Sequence, residues 1–408
     1  MALVGELELA SFDYTDPELR GERFHTAMRE LAAQSWLAAG PYGYIVLDRE
    51  AGEHFLRTRS AIFPGMKIAE LFGVQEGPLW EEMRRNILHI NGPDHTRLRG
   101  LVNPALSPRA VERYRPLMRE RLEHLYDEVT STGRDSAFDF VEAFAKPYPS
   151  QVIASVMGAP LSDAPRLHHW SSWIQRQFDA NSMMHERPGI EAAVEEFYDY
   201  ARALLDARRE DRRDDLISAL LSAEQEGDRL SEEECVNLVL NVLIGGVDTT
   251  QSQLAHTIRL LAEHTDQWDA LVADRSLAER AVEEALRYEP ITPFTARITV
   301  EEVAYRDVTF PRDTVVMVCA FTANRDLPEG SGDPEAFDIA AERPRARPLT
   351  FGAGIHYCLG ANLARLELRE ALSYLAERSP RLELAGEPVF ESITGIYGLA
   401  ELPVRFGA

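Results

Sequence analysis

Phe351-Gly352-Ala353-Gly354-Ile355-His356-Tyr357-Cys358-Leu359-Gly360 sets one cysteine in a glycine-rich turn, directly ahead of a helical pattern carried by Leu359, Leu363, Leu366, Leu372 and Leu375. Gly352, Gly354 and Gly360 remove the Cβ atoms that would stop the backbone from folding tightly or from lying against a flat cofactor. A helix that starts just after Cys358 brings its positive end and unpaired N–H groups near the sulfur, which favours thiolate over thiol. A single thiolate with no CxxC partner suits neither an iron–sulfur cluster nor structural zinc, and does suit an axial ligand of haem iron. The plainer alternative is a buried cysteine that acts only as a small hydrophobe.

The pattern Phe-Gly-x-Gly-x-His-x-Cys-x-Gly resembles the cysteine-ligand loop of the cytochrome P-450 superfamily, the haem-thiolate monooxygenases, and three further motifs fall in that family's order. The resemblance runs from about residue 20 to the C-terminus. It implies a mainly α fold with a smaller β-rich region, in which haem b sits between a long distal helix and the Cys358 loop. It also implies a single cytochrome P-450 catalytic domain over 1–408.

Composition agrees with a large folded chain. It has 408 residues, 45% hydrophobic and 27% charged, with no Ser/Gly linker, repeat or low-complexity tract. No apolar run approaches the roughly 20 residues of a membrane span, and acidic residues interrupt Met1 to Arg20, so a cytoplasmic protein without a signal peptide is expected. Cys235, Cys319 and Cys358 make no disulfide framework and suit a reducing compartment. A net charge of -24 argues against nucleic acid as a partner. Lysine is confined to Lys67 and Lys146 against many arginines, a bias associated with GC-rich bacterial genomes.

Strands are expected at 42–46 and within 298–319, and a hairpin region at 389–406. Helical periodicity marks 110–131, 190–210, 233–263 and 361–378. Asp326 to Pro348 has no clean period and reads as an irregular wrap into the cysteine loop, matching what the family calls the meander.

Glu233 to Glu263 reads as one helix with Gly245 and Gly246 near its centre. Each mid-helix glycine costs about 1 kcal/mol relative to alanine, so the pair needs a reason. A Thr hydroxyl bonding back one turn would open the helix locally, and the glycines would let a flat ligand lie against the backbone. Gly245-Gly246-Val247-Asp248-Thr249-Thr250 resembles the family's oxygen-activation motif, with Gly245 in place of the usual alanine. By that resemblance Asp248 and Thr249 are the catalytic acid–alcohol pair that relays protons, and Gly246 lies at the cofactor. A helix-interior Thr beside a solvated Asp is the alternative.

Glu284-Ala285-Leu286-Arg287 matches the family's Glu-x-x-Arg lock, although an i,i+3 pair alone is often an ordinary surface ion pair. The third partner of the family lock is replaced by Ala336 here, leaving Arg343 or Arg347 to stand in. Haem propionates want buried cationic partners, and the resemblance places His95, Arg99, Arg297 and His356 there, with Phe351 and Gly352 also at the cofactor. For each of these a surface charge is the alternative.

Pocket positions follow from the resemblance by position only: the loop Phe63 to Trp80, the segment Asn181 to Gly189, and Lys67, Val242, Ile291, Thr292, Phe294 and Ile396. Most are apolar or small, which implies a small hydrophobic organic substrate, of secondary-metabolite, terpenoid or steroid type. Lys67 could pair with a substrate carboxylate or simply be solvated. Met183-Met184 with Pro188-Gly189 could form a hinged lid or a packed turn. Arg97, Arg109, Arg113, Arg115, Arg119 and Arg121 could receive an acidic ferredoxin, or could be a solvated face paired with acids such as Glu112 and Glu120. The implied activity is insertion of one oxygen atom of O2, with NAD(P)H electrons arriving through a separate ferredoxin reductase and ferredoxin, in a monomer. A peroxygenase or rearrangement catalyst on the same scaffold, or a non-catalytic haem sensor, are the alternatives.

Overall fold

A computed structural model describes residues 1–131, 133, 135–225, 230–343 and 347–407, with backbone only at 223–225. Its packing divides the chain into two units. One comprises Met1–Pro64, Glu283–Cys358 and Phe390–Gly398; the other comprises Gly65–Val282, Leu359–Val389 and Leu399–Ala408. Among the described residues no helix is long and apolar enough to cross a membrane.

The first unit holds the β-rich part. Leu37–Gly40, Gly43–Val46, Val315–Cys319, Phe294–Thr299 and Ala61–Ile62 lie in that order in one mixed sheet. The expected strand at 42–46 is therefore the second strand, paired parallel with Val315–Cys319 in the register Tyr44↔Val316 and Val46↔Val318. Gly43 makes that approach possible: a Cβ there would lie 2.3 Å from the Val315 carbonyl oxygen, at a φ of +147°. One face of the sheet buries Val46, Val316 and Val318 with Phe55 and Phe310. Ile45, Cys319 and Phe321 pack instead with Phe12, Phe24 and Tyr397. This alternation along each strand is the period-two pattern of β structure.

The irregular segment from Asp326 onward contains no helix or strand among its described residues; 344–346 lie outside them. Its backbone polar groups need partners from elsewhere, and the buried Glu284–Arg287 pair supplies many of them. Arg287 grips the Glu284 carboxylate through two bonds of 2.8 Å and donates to the carbonyls of Pro334 and Ala336, also at 2.8 Å. Arg343 is the third member. Its Nε and Nη2 lie 3.1 and 3.2 Å from the same carboxylate, and it donates to the carbonyls of Ser331, Asp333 and Ala336. Arg347 is elsewhere, its carbonyl accepting from Arg49. Ala336 contributes its carbonyl to both guanidiniums, so the position that lacks an arginine side chain still belongs to the lock.

The second unit is a helical assembly. Ala164–Gln175, Arg187–Glu210 and Pro147–Met157 pack around a central pair, Glu232–Gly246 and Asp248–Glu263. A capping box opens that pair: Ser231 Oγ accepts from Glu234 N–H, and Glu234 Oε2 accepts from Ser231 N–H. The pair is buried on nearly all faces, as a helix at the centre of a bundle must be. Ala361–Arg378 forms as expected. The expected 110–131 helix is subdivided into short turns at Pro108–Val111 and Glu112–Tyr114, followed by Arg115–Thr130. The expected hairpin region holds the paired strands Val389–Phe390 and Leu399–Glu401, and the C-terminal strand Pro403–Gly407 pairs with Arg381–Leu384 and Phe138–Asp139, which lie outside that region.

Glu82 is fully buried in this unit. Asn86 Nδ2 donates to its Oε1 at 2.5 Å, while Oε2 has no hydrogen-bond partner among the described residues. Burial pushes its carboxyl up to about 7 against the pull of Asn86 and Gln177.

Two predictions follow from these buried groups. Glu284→Ala strands two buried guanidiniums and should cost about 3–5 kcal/mol, read as a fall in the unfolding midpoint, and Arg343→Ala should lose a smaller share. Glu82 keeps its proton in the fold while the unfolded carboxyl releases it near 4.5. Stability should therefore fall as pH rises from about 4.5 to about 7, by an amount on the order of 3 kcal/mol. Denaturant titrations across that range should show the decline in wild type, and Glu82→Gln should be flatter by that amount.

Candidate functional site

Cys358 sits half-buried at the end of a closed loop in the first unit. Its backbone N–H donates to the Phe351 carbonyl at 2.9 Å, and within that closure Gly352 N–H reaches Leu349 and Tyr357 N–H reaches Gly354. Gly352 takes a φ of +66°. Gly354, at +74°, passes so near the 49–57 helix that a Cβ would lie 2.4 Å from the Leu56 carbonyl oxygen. The glycines here thus serve the tight fold that holds the thiol. Among the described residues no three His, Cys, Asp or Glu side chains are clustered as a metal cage.

Arg297 lies in the same unit, on the strand Phe294–Thr299, and is 2% exposed. Its Nη1 donates to the Ala296 carbonyl at 2.8 Å, and no ion pair to a carboxylate forms among the described residues. Burial alone pushes the guanidinium down to about 10, so it stays charged at neutral pH. A buried charge without a counter-charge is costly, and it calls for an anion. His356 closes the short turn Gly354–His356, its ring 6.0 Å from that of Phe63. The lone thiol and the buried cation fit a haem, which brings one iron and two carboxylates.

In the second unit His95 and Arg99 lie one turn apart on the helix Gly92–Val102. His95 is buried; burial, then the neighbouring Arg99 charge, hold its imidazole below the usual range. A neutral ring and a guanidinium on one face suit hydrogen bonding to an anionic group.

The central helix is interrupted at Val247, where the expected defect has a defined geometry. Thr249 Oγ1 donates to the Gly245 carbonyl at 2.6 Å, the back-bond that loosens a helix. The two glycines divide their work. A Cβ on Gly246 would lie 2.3 Å from Ile153 Cδ1, so this glycine serves helix packing. A Cβ on Gly245 would meet nothing within 4 Å, and Gly245 is exposed, between buried Ile244 and half-buried Gly246.

Asp248 is 9% exposed. Ser172 Oγ donates to its Oδ1 at 2.7 Å and Ser171 Oγ donates to its Oδ2. Adjacent in sequence, Asp248 and Thr249 thus point at different partners. The serine pair escaped the sequence reading. The available signal was two small hydroxyls between Trp170 and Trp173 on an amphipathic helix.

The pocket positions of the first unit come together in part. Tyr397 N–H donates to the Ile291 carbonyl at 2.7 Å, which brings Ile291 and Thr292 beside Ile396. Phe294 joins an aromatic cluster, 5.3 Å from the Tyr14 ring. In the second unit Val242 is buried on the central helix. Lys67 is exposed and bonds Glu70 at 2.7 Å, so it has a carboxylate of its own. Met183 is buried and Met184 exposed. Gly189, in the first turn of the helix Arg187–Glu210, lies so close to the Trp173 ring that a Cβ would sit 2.4 Å from it.

Five of the six arginines considered for a docking patch are ion-paired: Arg97 with Glu234, Arg113 with Asp214, Arg115 with Glu112 and Glu370, Arg119 with Glu370, and Arg121 with Glu120. Arg109 is exposed. That face is largely self-neutralised, as its acidic neighbours allowed.

A family model described as Cytochrome P450 matches residues 36–378. Over 98% of its length the chain is 34% identical to luteothin monooxygenase of Streptomyces thioluteus, covering 97% of that protein. It is 35% identical, over 74% of its length and 75% of the relative, to the mycinamicin IV hydroxylase/epoxidase of Micromonospora griseorubida. Among solved structures, that of CalO2 superposes with a TM-score of 0.88 at 32% identity, over 98% of this chain and 99% of the other.

Proposed function

The chain belongs to the cytochrome P450 family and is a monooxygenase of that family; on that premise we propose that Cys358 provides the axial thiolate of a haem b. We further propose that the chain, 1–408 acting as one catalytic domain, oxygenates a hydrophobic secondary metabolite. The observation that carries the reading is the half-buried lone thiol in a loop closed from Cys358 N–H to the Phe351 carbonyl. Relatives named for luteothin and mycinamicin IV support the substrate class. Buried Val242 and Ile291 and half-buried Phe294 among the pocket positions are in keeping with it.

The haem, when bound, supplies the activation of O2 and the oxidising power for a C–H bond. The chain's own residues bind, orient and protonate. Arg297 and His356 in the first unit, and His95 and Arg99 in the second, are the residues that would hold propionates, and Arg297 would gain the counter-charge its burial demands. Thr249 keeps its hydroxyl on the carbonyl of the exposed Gly245, at the interruption of the central helix. Asp248 holds a proton-exchanging carboxyl one residue away. The overall reaction takes one substrate C–H, O2, two electrons and two protons to an alcohol and water. The electrons derive from NAD(P)H through a ferredoxin reductase and a ferredoxin, whose approach is steered only weakly given the paired arginines. Three thiols without a disulfide suit a monomer working in the cytoplasm.

The dithionite-reduced, carbon-monoxide-bound protein should show the strongly red-shifted Soret band of thiolate ligation, and Cys358→Ser should lose it. A band at the ordinary histidine-haem position in folded wild type would refute the assignment. Arg297→Leu removes a buried charge, so the haem-free form should not be weakened. Transfer of haem to a scavenger protein should nevertheless become about tenfold faster or more, in line with about 1.5–3 kcal/mol for a charge-assisted bond.

A further inference from the structure

We propose that Ser172 is the solvent-side proton donor to Asp248 and that Ser171 holds the carboxylate turned toward it, extending the proton path outward along the helix Ala164–Gln175. The proposal rests on the reading of Asp248 and Thr249 as proton carriers.

Three observations support it. Both Asp248 oxygens are engaged, one by each serine hydroxyl, and no cationic side chain pairs with Asp248 among the described residues. The choice of partner matters chemically. A guanidinium can only donate and does not release its proton, whereas a hydroxyl accepts one proton as it passes on another. The two serines also differ in exposure: Ser171 is fully buried and Ser172 is half-buried. Ser172 is therefore the member of the pair that solvent can reach. Finally, the two helices are held in register one turn away, where His168 Nε2 and Gln251 Oε1 lie 2.9 Å apart. His168, Ser171 and Ser172 at i, i+3 and i+4 face Asp248 and Gln251 at i and i+3, a continuous polar seam.

The transfer conserves protons. A solvent proton enters at Ser172 Oγ as the serine's own proton passes to Asp248 Oδ1. Asp248, now a neutral acid, turns and releases that proton on the Thr249 side, returning to carboxylate. Each turnover uses the path twice, and the chain is left unchanged.

The test uses haem-loaded protein with a plant-type [2Fe–2S] ferredoxin, its reductase and NADPH, without organic substrate, so that O2 itself is reduced to peroxide or water. Ser172→Ala should slow NADPH consumption about a hundredfold, the lower end of the effect expected for a positioned acid–base group. It should also raise the peroxide fraction and enlarge the solvent isotope effect, and Ser172→Thr, which keeps a hydroxyl, should restore all three. Independently of turnover, the infrared carboxylate band that Asp248→Asn removes should shift in Ser172→Ala. If Asp248→Asn slows the reaction and Ser172→Ala does not, the serine route is wrong and the relay survives. If Asp248→Asn matches wild type, the relay itself fails and the serine route with it. Ser172→Cys, of similar volume and weaker as a donor, makes the same distinction should the alanine variant not fold.

Discussion

One buried carboxylate organises the approach to the thiol. From Asp326 the described chain runs without helix or strand, so its carbonyls cannot find partners in a ladder. Glu284 solves this indirectly, fixing Arg287 and Arg343, whose remaining donors take up the carbonyls of Ser331, Asp333, Pro334 and Ala336. Asp338 N–H closes the arrangement on Glu284 Oε1 at 3.0 Å. The loop presenting Cys358 begins a few residues beyond this segment. Its geometry depends on a path that side-chain donors largely hold in place.

The sequence made legible those features that depend on local chemistry. The glycines around Cys358 announce a backbone that other residues cannot follow, and Gly352 and Gly354 do take left-handed φ values. The glycine pair followed by Thr249 announced a helix defect, and the threonine does bond back to Gly245. The 361–378 helix followed from its apolar period alone. What stayed hidden depends on which elements meet. Nothing local separates Arg343 from Arg347, because both flank the same aperiodic stretch. Nothing local tells which of two adjacent glycines faces another helix; Ile153, ninety-odd residues away, decides it.

Charge was the least readable feature for the same reason. Six arginines in one stretch look like a patch only while their partners are unseen, and Glu234, Asp214 and Glu370 all come from distant segments. The serines beside Asp248 were silent because Ser is unremarkable on a helix until its neighbour across the interface is a carboxylate. Lys67 was conspicuous for its rarity, yet it lies next to Glu70 on its own helix.

Arg297 bears on how the protein comes into being. On the reading proposed above, a charge sealed away from water penalises the folded chain until its counter-ion arrives, so loading of the prosthetic group and final consolidation would be thermodynamically linked. Chains that missed the group would open more often. One arginine would thereby couple capture of the group to the firmness of the fold.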